Sequence, residues 1–386
     1  MDSTELILDV ETTTYAKGNP FSRRNSLCYV GTLSKQEKLY DVEYSEKPYS
    51  TELLNIQQDV DSCETVVGFN IKFDLHWIKK YGIIFTNKRV WDCQLVHFIL
   101  SNQKATMPSL NDVAAHYGLK PKLDVVATEY WDKGIDTKDI PKDVLEEYLS
   151  GDLQLTKQVY EKQKEEVAKL PINRQRLISL HNQDLLVLEE MEFNGLLYDE
   201  EKSTELGKET QQHIDELDKK LNTIAPVTGF NWNSGDHLST LLYGGSLTIP
   251  RKEVIGEYKT GVKKGTVKYG WVDYTYNFDR LFNPIPGSEL KKEGFYSTDE
   301  QTLKSLKGNK EAKKIIDSLL ERSLLEKRRG TYYDGIPKLI FEMDWEQGKI
   351  HGQLNQSVAR TGRLSSSKPN LQNFDSKIKE LFYSRY

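Results

Sequence analysis

Glu5-Leu6-Ile7-Leu8-Asp9-Val10-Glu11-Thr12 is an apolar run that turns acidic at alternate positions near its C-terminal end. Residues 5–10 read as a buried β-strand, since a strand covered on both faces carries a near-continuous apolar run. Side chains two apart share a face of a strand, so Asp9 and Glu11 project side by side while Val10 points away. Two carboxylates that close repel each other unless a cation sits between them.

Working outward, apolar stretches at 26–33 and 65–69 extend this strand into a mixed sheet. Helical patterns over 72–81, 92–100, 109–117 and 141–169 interleave with the strands, which indicates an α/β domain over residues 1–165. An amphipathic helix over 171–192 is stopped by the turn signal Asn194-Gly195. A charged helix over 199–221 follows, with Leu206, Ile214, Leu217 and Leu221 as its apolar stripe and its charges on a solvated face.

Residues 243–294 differ, being rich in Gly, Tyr and Lys with β-like segments such as 272–278. Here Arg251, Lys252, Lys259, Lys263, Lys264 and Lys268 face only Glu253 and Glu257, with Tyr258 and Tyr269 interleaved. A track for a nucleic-acid backbone and a solvated hairpin edge would both use this pattern. Ser297-Thr298-Asp299-Glu300 has capping-box spacing and opens a helix, and a further helical pattern covers 311–335. The tail has little helical periodicity before Lys377.

Bulk properties bound the function. With 386 residues, 37% hydrophobic and 29% charged, the chain can build two or three cores at ~150 residues per domain. No apolar run approaches the ~20 residues that span a bilayer, so no membrane partner is expected. The acidic opening Met1-Asp2-Ser3-Thr4-Glu5 does not read as a leader, and a cytoplasmic location is expected. Cys28, Cys63 and Cys93 lack CxxC spacing, which disfavours a disulfide framework or structural zinc; Cys93 and His97, one turn apart, read as core. The net charge of −5 does not exclude nucleic acid, because binding depends on where cations cluster rather than on their sum.

Two further motifs join the first. In Val67-Gly68-Phe69-Asn70-Ile71-Lys72-Phe73-Asp74-Leu75-His76-Trp77 a strand passes through glycine into a helix whose first turn carries Asp74 in apolar company. In Tyr148-Leu149-Ser150-Gly151-Asp152 the tyrosine and aspartate lie four apart on one helix face. Four carboxylates supply the hard oxygen ligands that two divalent cations, Mg²⁺ or Mn²⁺, require. Held ~4 Å apart, such ions stabilise the attacking and leaving oxygens of an in-line displacement at phosphorus. The Tyr148 hydroxyl can orient the attacking water, and no histidine base is required.

This ordered set resembles the DEDD exonucleases of the subtype with tyrosine in the last motif, as in the proofreading domain of family A DNA polymerases. The resemblance spans about residues 5–160 and implies a ribonuclease H-like exonuclease fold, a mixed sheet flanked by helices. It implies 3′→5′ hydrolysis of DNA, with Asp9, Glu11, Asp74 and Asp152 as metal ligands and Tyr148 positioning water. Thr12 and Asn70 match positions that contact the 3′-terminal nucleotide.

The second half is similar to the same family. Met191-Glu192-Phe193-Asn194-Gly195-Leu196-Leu197-Tyr198-Asp199 resembles the segment after the exonuclease domain, and Phe230-Asn231-Trp232-Asn233-Ser234 resembles thumb sequence. Ala359-Arg360-Thr361-Gly362-Arg363-Leu364-Ser365-Ser366 and Pro369-Asn370-Leu371-Gln372-Asn373 resemble the track along the primer–template duplex. By this resemblance Arg363, Gln372 and Asn373 touch duplex DNA, whose degenerate minor groove suits an enzyme that must hold any sequence. The implied organisation is a linker helix and mainly helical thumb over 166–348, with the 243–294 insertion, then the start of an incomplete palm over 349–386.

The family's palm aspartates and fingers lysine fall after the last residue, so the chain is not expected to polymerise alone. A separate C-terminal polymerase subunit is the expected partner. Residues 350–386 are then expected to be incompletely folded, with Leu371, Phe374, Ile378, Leu381 and Phe382 short of burial partners. The insertion and the missing 5′-nuclease domain look more like phage polymerases, which would place the protein in a bacterial host's cytoplasm. Lys259, Lys263, Lys264 and Lys268 are candidate phosphate contacts or a docking surface for a processivity factor. Two other readings remain: a stand-alone exonuclease of the ribonuclease D kind, and a non-catalytic DNA-binding scaffold.

Overall fold

A computed structural model describes residues 5–42, 49–122, 124–308 and 310–384. Residues 1–4, which carry the reading of the acidic opening, and the terminal residues 385–386 lie outside the described residues. The chain forms two compact units, Met1–Glu200 with Ile336–Tyr386 and Glu201–Gly335. No helix among the described residues is long and apolar enough to cross a membrane.

In the first unit, β1 (Glu5–Thr12), β2 (Leu27–Leu33) and β3 (Glu37–Asp41) form an antiparallel meander. The helix α1 (Tyr49–Ser62) leads to β4 (Thr65–Gly68), parallel to β1. Then α2 (Lys72–Lys80) leads to β5 (Arg89–Asp92), parallel to β4. The order β3-β2-β1-β4-β5 puts β1 at the centre. This is the mixed sheet that the opening stretch led us to expect.

The helices α3 (Cys93–Leu100), α4 (Leu110–His116), α5 (Val125–Glu129), α6 (Lys142–Val167) and α7 (Ile172–Asn194) complete the layers. Alternation along β1 decides which helix meets which side chain. Leu6, Leu8 and Val10 pack in one core with Ile56, Leu75 and Trp77, whereas Ile7 packs in the other with Leu145, Leu149 and Leu153 of α6. Asp9 and Glu11 share the parity of Ile7 and therefore look toward α6. Cys28, Cys63 and Cys93 are buried thiols.

The strand β6 (Leu196–Tyr198) follows α7, which ends at Gly195 in a positive-φ conformation that glycine adopts without strain. In the second unit, α8 (Glu200–Asn222) and α9 (Gly235–Tyr243) precede a long antiparallel ribbon, β7 (Gly245–Glu257) with β8 (Val267–Phe278). The ribbon is longer than the β-like segment read at 272–278. Next come α10 (Glu300–Ser305) and α11 (Lys310–Arg328), continued by a π-helical turn over Arg329–Tyr333. Leu221, Trp232, Leu242, Tyr243, Phe282 and Ile316 share this unit's core. The cap of α10 is Asp299, whose carboxylate accepts the Thr302 N–H at 2.7 Å; Ser297 is hydrogen-bonded to Asp299, so the cap stands two residues later than the box spacing suggested.

The C-terminal segment corrects one expectation. It forms α12 (Gly335–Met343), β9 (Lys349–Ile350), β10 (Gln353–Asn355), β11 (Ser365–Ser367), α13 (Ser376–Lys379) and β12 (Phe382–Tyr383). β6 takes β9 and β12 as antiparallel neighbours, and Ile378 and Leu381 are fully buried rather than short of partners. The compact units divide the chain after Glu200 and after Gly335. Helix α7 contributes Ile178 and Leu185 to the β1 core, and the tail is tied to the same unit by a buried ion pair. Lys72 Nζ meets Glu192 at 2.6 Å and donates to the Leu354 carbonyl, while the Leu354 N–H donates to Glu192.

Candidate active site

Strand β1 pairs regularly with β2 through Glu11, which sits opposite Tyr29, and its register shifts only between Glu11 and Thr12. Asp9 sits opposite Gly31 of β2. A Cβ on Gly31 would come within 2.7 Å of Leu153 and 3.0 Å of Leu149, so the missing side chain is what lets α6 lie close on the sheet. That approach lowers Tyr148 and Asp152, one turn apart, over the acidic end of β1. Asp9, Glu11 and Asp152 each bring a carboxylate oxygen within 4.8 Å of the others.

Asp74 is not one of this trio. It stands at the start of α2, on the helix that covers the Leu6–Leu8–Val10 face, and its Oδ1 accepts the Val10 N–H at 3.1 Å. It is buried and close enough to feel the Asp9 charge. The structure thus brings three of the four predicted carboxylates within 4.8 Å of one another, with Asp74 outside that trio but within reach of the Asp9 charge.

The electrostatics follow from burying like charges together. Burial, then Asp152, pushes Asp9 up to about 8 against the opposing pull of Lys122. Burial and the Asp9 and Asp152 charges hold Glu11 well above the usual carboxylate range. Asp74 is raised by burial and then by Asp9, and Asp152 by burial with Lys122 opposing. Tyr148 is raised by burial and by Asp152 and Glu11, so its hydroxyl keeps its proton. That hydroxyl donates to Asp124 Oδ1 at 3.3 Å.

The donor set fits hard divalent cations. It is all oxygen and it is crowded with buried like charge. The only basic group that the structure places on the trio, among the described residues, is Lys122, ion-paired with Asp152.

Thr12 is buried beside the cluster, its hydroxyl donating to the Thr13 carbonyl at 3.2 Å and lying against Gly18. Asn70 is exposed on the turn into α2 with φ 57°, its N–H donating to Asp92 Oδ1 at 3.1 Å. Arg363, Gln372 and Asn373 are exposed on the C-terminal loops, and the Gln372 amide donates to the Leu364 carbonyl at 2.7 Å. Lys259, Lys263, Lys264 and Lys268 are exposed at the tip of the ribbon in the second unit. Sequence reasoning missed Lys122 and Asp92. Asp92 caps α3 through the Gln94 and Leu95 amides and had the signal of a carboxylate ahead of an apolar helix. Lys122 lies in a loop and gave none.

Residues 277–385 match the family described as DNA polymerase family A. DNA polymerase I of Synechocystis sp. is 27% identical over 308 residues, covering 79% of this chain and 26% of that protein. DNA polymerase I of Bacillus subtilis is 25% identical over 295 residues, covering 75% of this chain and 27% of that protein. The chain therefore spans about a quarter of the length of these curated relatives. The thermostable DNA polymerase I of Thermus aquaticus is 41% identical over 96 residues, 25% of this chain and 11% of that protein. A solved structure titled as the POL domain of Pol1 from M. smegmatis in complex with DNA primer-template and dNTP has a TM-score of 0.65 at 16% identity. It covers 98% of this chain and 54% of that one, a likeness of fold.

Proposed function

This chain is a relative of the family A DNA polymerases, and from that premise we propose that its first unit is a two-metal 3′→5′ exonuclease that proofreads DNA. The observation that carries the reading is the convergence of Asp9, Glu11 and Asp152 within 4.8 Å, with Asp74 buried within reach of the Asp9 charge. The sheet order β3-β2-β1-β4-β5, with the carboxylates on its central strand, is consistent with a ribonuclease H-like exonuclease.

Asp9, Glu11, Asp74 and Asp152 would hold two divalent cations, Mg²⁺ or Mn²⁺, which when bound supply the charge that stabilises the attacking and leaving oxygens at phosphorus. Loading the site costs the carboxylates their protons, since Asp9 and Glu11 hold them tightly in the free protein. Tyr148 keeps its hydroxyl protonated and so orients the attacking water by hydrogen bonding, without acting as a base. Thr12, next to Glu11 on β1, and Asn70, on the turn into α2, would seat the 3′-terminal nucleotide of a single strand.

Arg363, Gln372 and Asn373, inside the segment that matches the polymerase family, would contact the primer–template duplex. This match disfavours a stand-alone exonuclease of the ribonuclease D kind, which has no use for such a track.

The test is digestion of 5′-labelled single-stranded DNA with Mg²⁺. Changing Asp9 and Glu11 to Ala should lower the rate by several orders of magnitude while the far-ultraviolet spectrum stays native. Tyr148→Phe should cost less, because it removes one orienting hydroxyl and no metal ligand. Near-normal digestion by the double mutant sinks the reading.

A further inference from the structure

A cation from the chain itself sits on the carboxylate trio. Lys122 Nζ is ion-paired with Asp152 and lies 3.8 Å from the centroid of the Tyr148 ring. Its side chain is only 16% exposed, although it comes from a loop between α4 and α5. The placement is built rather than incidental. Asn111 of α4 reads both backbone groups of Lys122: the Lys122 N–H donates to Asn111 Oδ1 at 3.0 Å, and Asn111 Nδ2 donates to the Lys122 carbonyl at 3.3 Å. The loop is thus clamped at the residue whose side chain reaches the acids.

A lysine suits a reversible role here. Its ammonium is a point charge on a flexible four-carbon stem, so it can neutralise a carboxylate and swing away with its backbone fixed. A buried carboxylate cluster relieves its repulsion by holding protons or by pairing with a cation, and Asp152 does the second.

We propose that Lys122 is a resident counter-cation of the carboxylate site, holding Asp152 until divalent metal displaces it, with Asn111 fixing the loop from which it reaches. The inference rests on the metal-site reading above. It makes Lys122 a competitor of the metal and the metal-free protein a closed, neutralised state.

The experiment is Mn²⁺ titration of the full chain, read by the electron paramagnetic resonance signal of free Mn²⁺, with melting in EDTA alongside. Lys122→Met and Lys122→Gln should each bind Mn²⁺ about tenfold tighter or more, the least expected from removing one close charge pair. Both should melt lower than wild type in EDTA, because Asp152 loses its partner, and gain more from metal. Asn111→Ala keeps the charge but frees the loop, and should tighten Mn²⁺ binding by a smaller factor. Lys120→Met, two residues away and exposed, controls for net charge and should change affinity less than twofold.

Wild-type or weaker affinity in both Lys122 variants overturns the proposal, as does an equal gain from Lys120→Met. If wild-type binding survives replacement of Asp9 and Glu11, the site reading itself has failed. If that binding is lost but the Lys122 variants gain nothing, only the counter-cation role has failed.

Discussion

Two concentrations of charge stand out in this chain, the carboxylates at the end of β1 in the first unit and the lysines at the tip of the β7–β8 ribbon in the second. They are held in opposite ways. The carboxylates come from distant segments and are gathered by packing, through Gly31, α6 and the hydrogen bond from Val10 to Asp74. Lys259, Lys263, Lys264 and Lys268 are near neighbours in sequence, and all are exposed. Gathering buried like charges costs stability, so their retention points to chemistry. Exposed lysines cost almost nothing to keep, so the pattern alone says far less about use.

The comparison breaks most sharply at Gly31. If packing of α6 on β2 is what assembles the trio, Gly31→Val should force α6 away from the sheet at Leu149 and Leu153 and carry Tyr148 and Asp152 off Asp9. A displacement of ~1 Å in a positioned site costs about 10²-fold in rate. Overpacking itself costs about 1–3 kcal/mol, so the protein should still fold at 25 °C. Exonuclease assay and melting together check this; wild-type hydrolysis in a folded Gly31→Val variant would show that the site does not depend on that close approach.

A smaller effect should appear in stability against pH. Asp9 holds its proton up to about 8, well above its usual value, so it contributes stability that is full in acid. That contribution is lost as pH rises from about 4 through 8, and Glu11 and Asp74 act in the same direction. In EDTA, Asp9→Asn should therefore melt several degrees above wild type at pH 8 and show little difference at about pH 4. Mn²⁺ at pH 8 should reverse the order, stabilising wild type more than the variant. A constant difference across pH would mean that Asp9 is not crowded by its neighbours.

What was legible in the sequence follows the same division. The apolar run of β1, the i,i+2 acids and the i,i+4 pair Tyr148 and Asp152 were readable because each is local periodicity. That Asp74 would stand apart was not, because it depends on α2 covering one face of the sheet and α6 the other. Lys122 was invisible, since its clamp by Asn111 is a tertiary interaction within an aperiodic loop. The burial of Ile378 and Leu381 was missed because strand β6, which seats the tail, comes from far earlier in the chain.

The smallest predicted effect concerns the ribbon. Its outer face leaves Val254, Tyr269 and Trp271 exposed beside Lys252, while Lys263 lies over the Tyr258 ring at 5.9 Å. Aromatic faces among lysines suit nucleic acid, whose phosphates reward the charge and whose bases stack. Replacing Lys259, Lys263, Lys264 and Lys268 by Ala should leave the melting temperature unchanged, because exposed substitutions of this kind shift stability by less than ~0.5 kcal/mol. Binding of duplex DNA should weaken, and the slope of log K against log salt should flatten by ~0.9 for each phosphate no longer neutralised. Weaker binding with an unchanged slope would mean that the lysines act through folding or shape rather than through phosphates. Unchanged binding and slope would leave the ribbon as a surface for something other than DNA, with Trp271 and Tyr269, rather than the lysines, as the residues to test next.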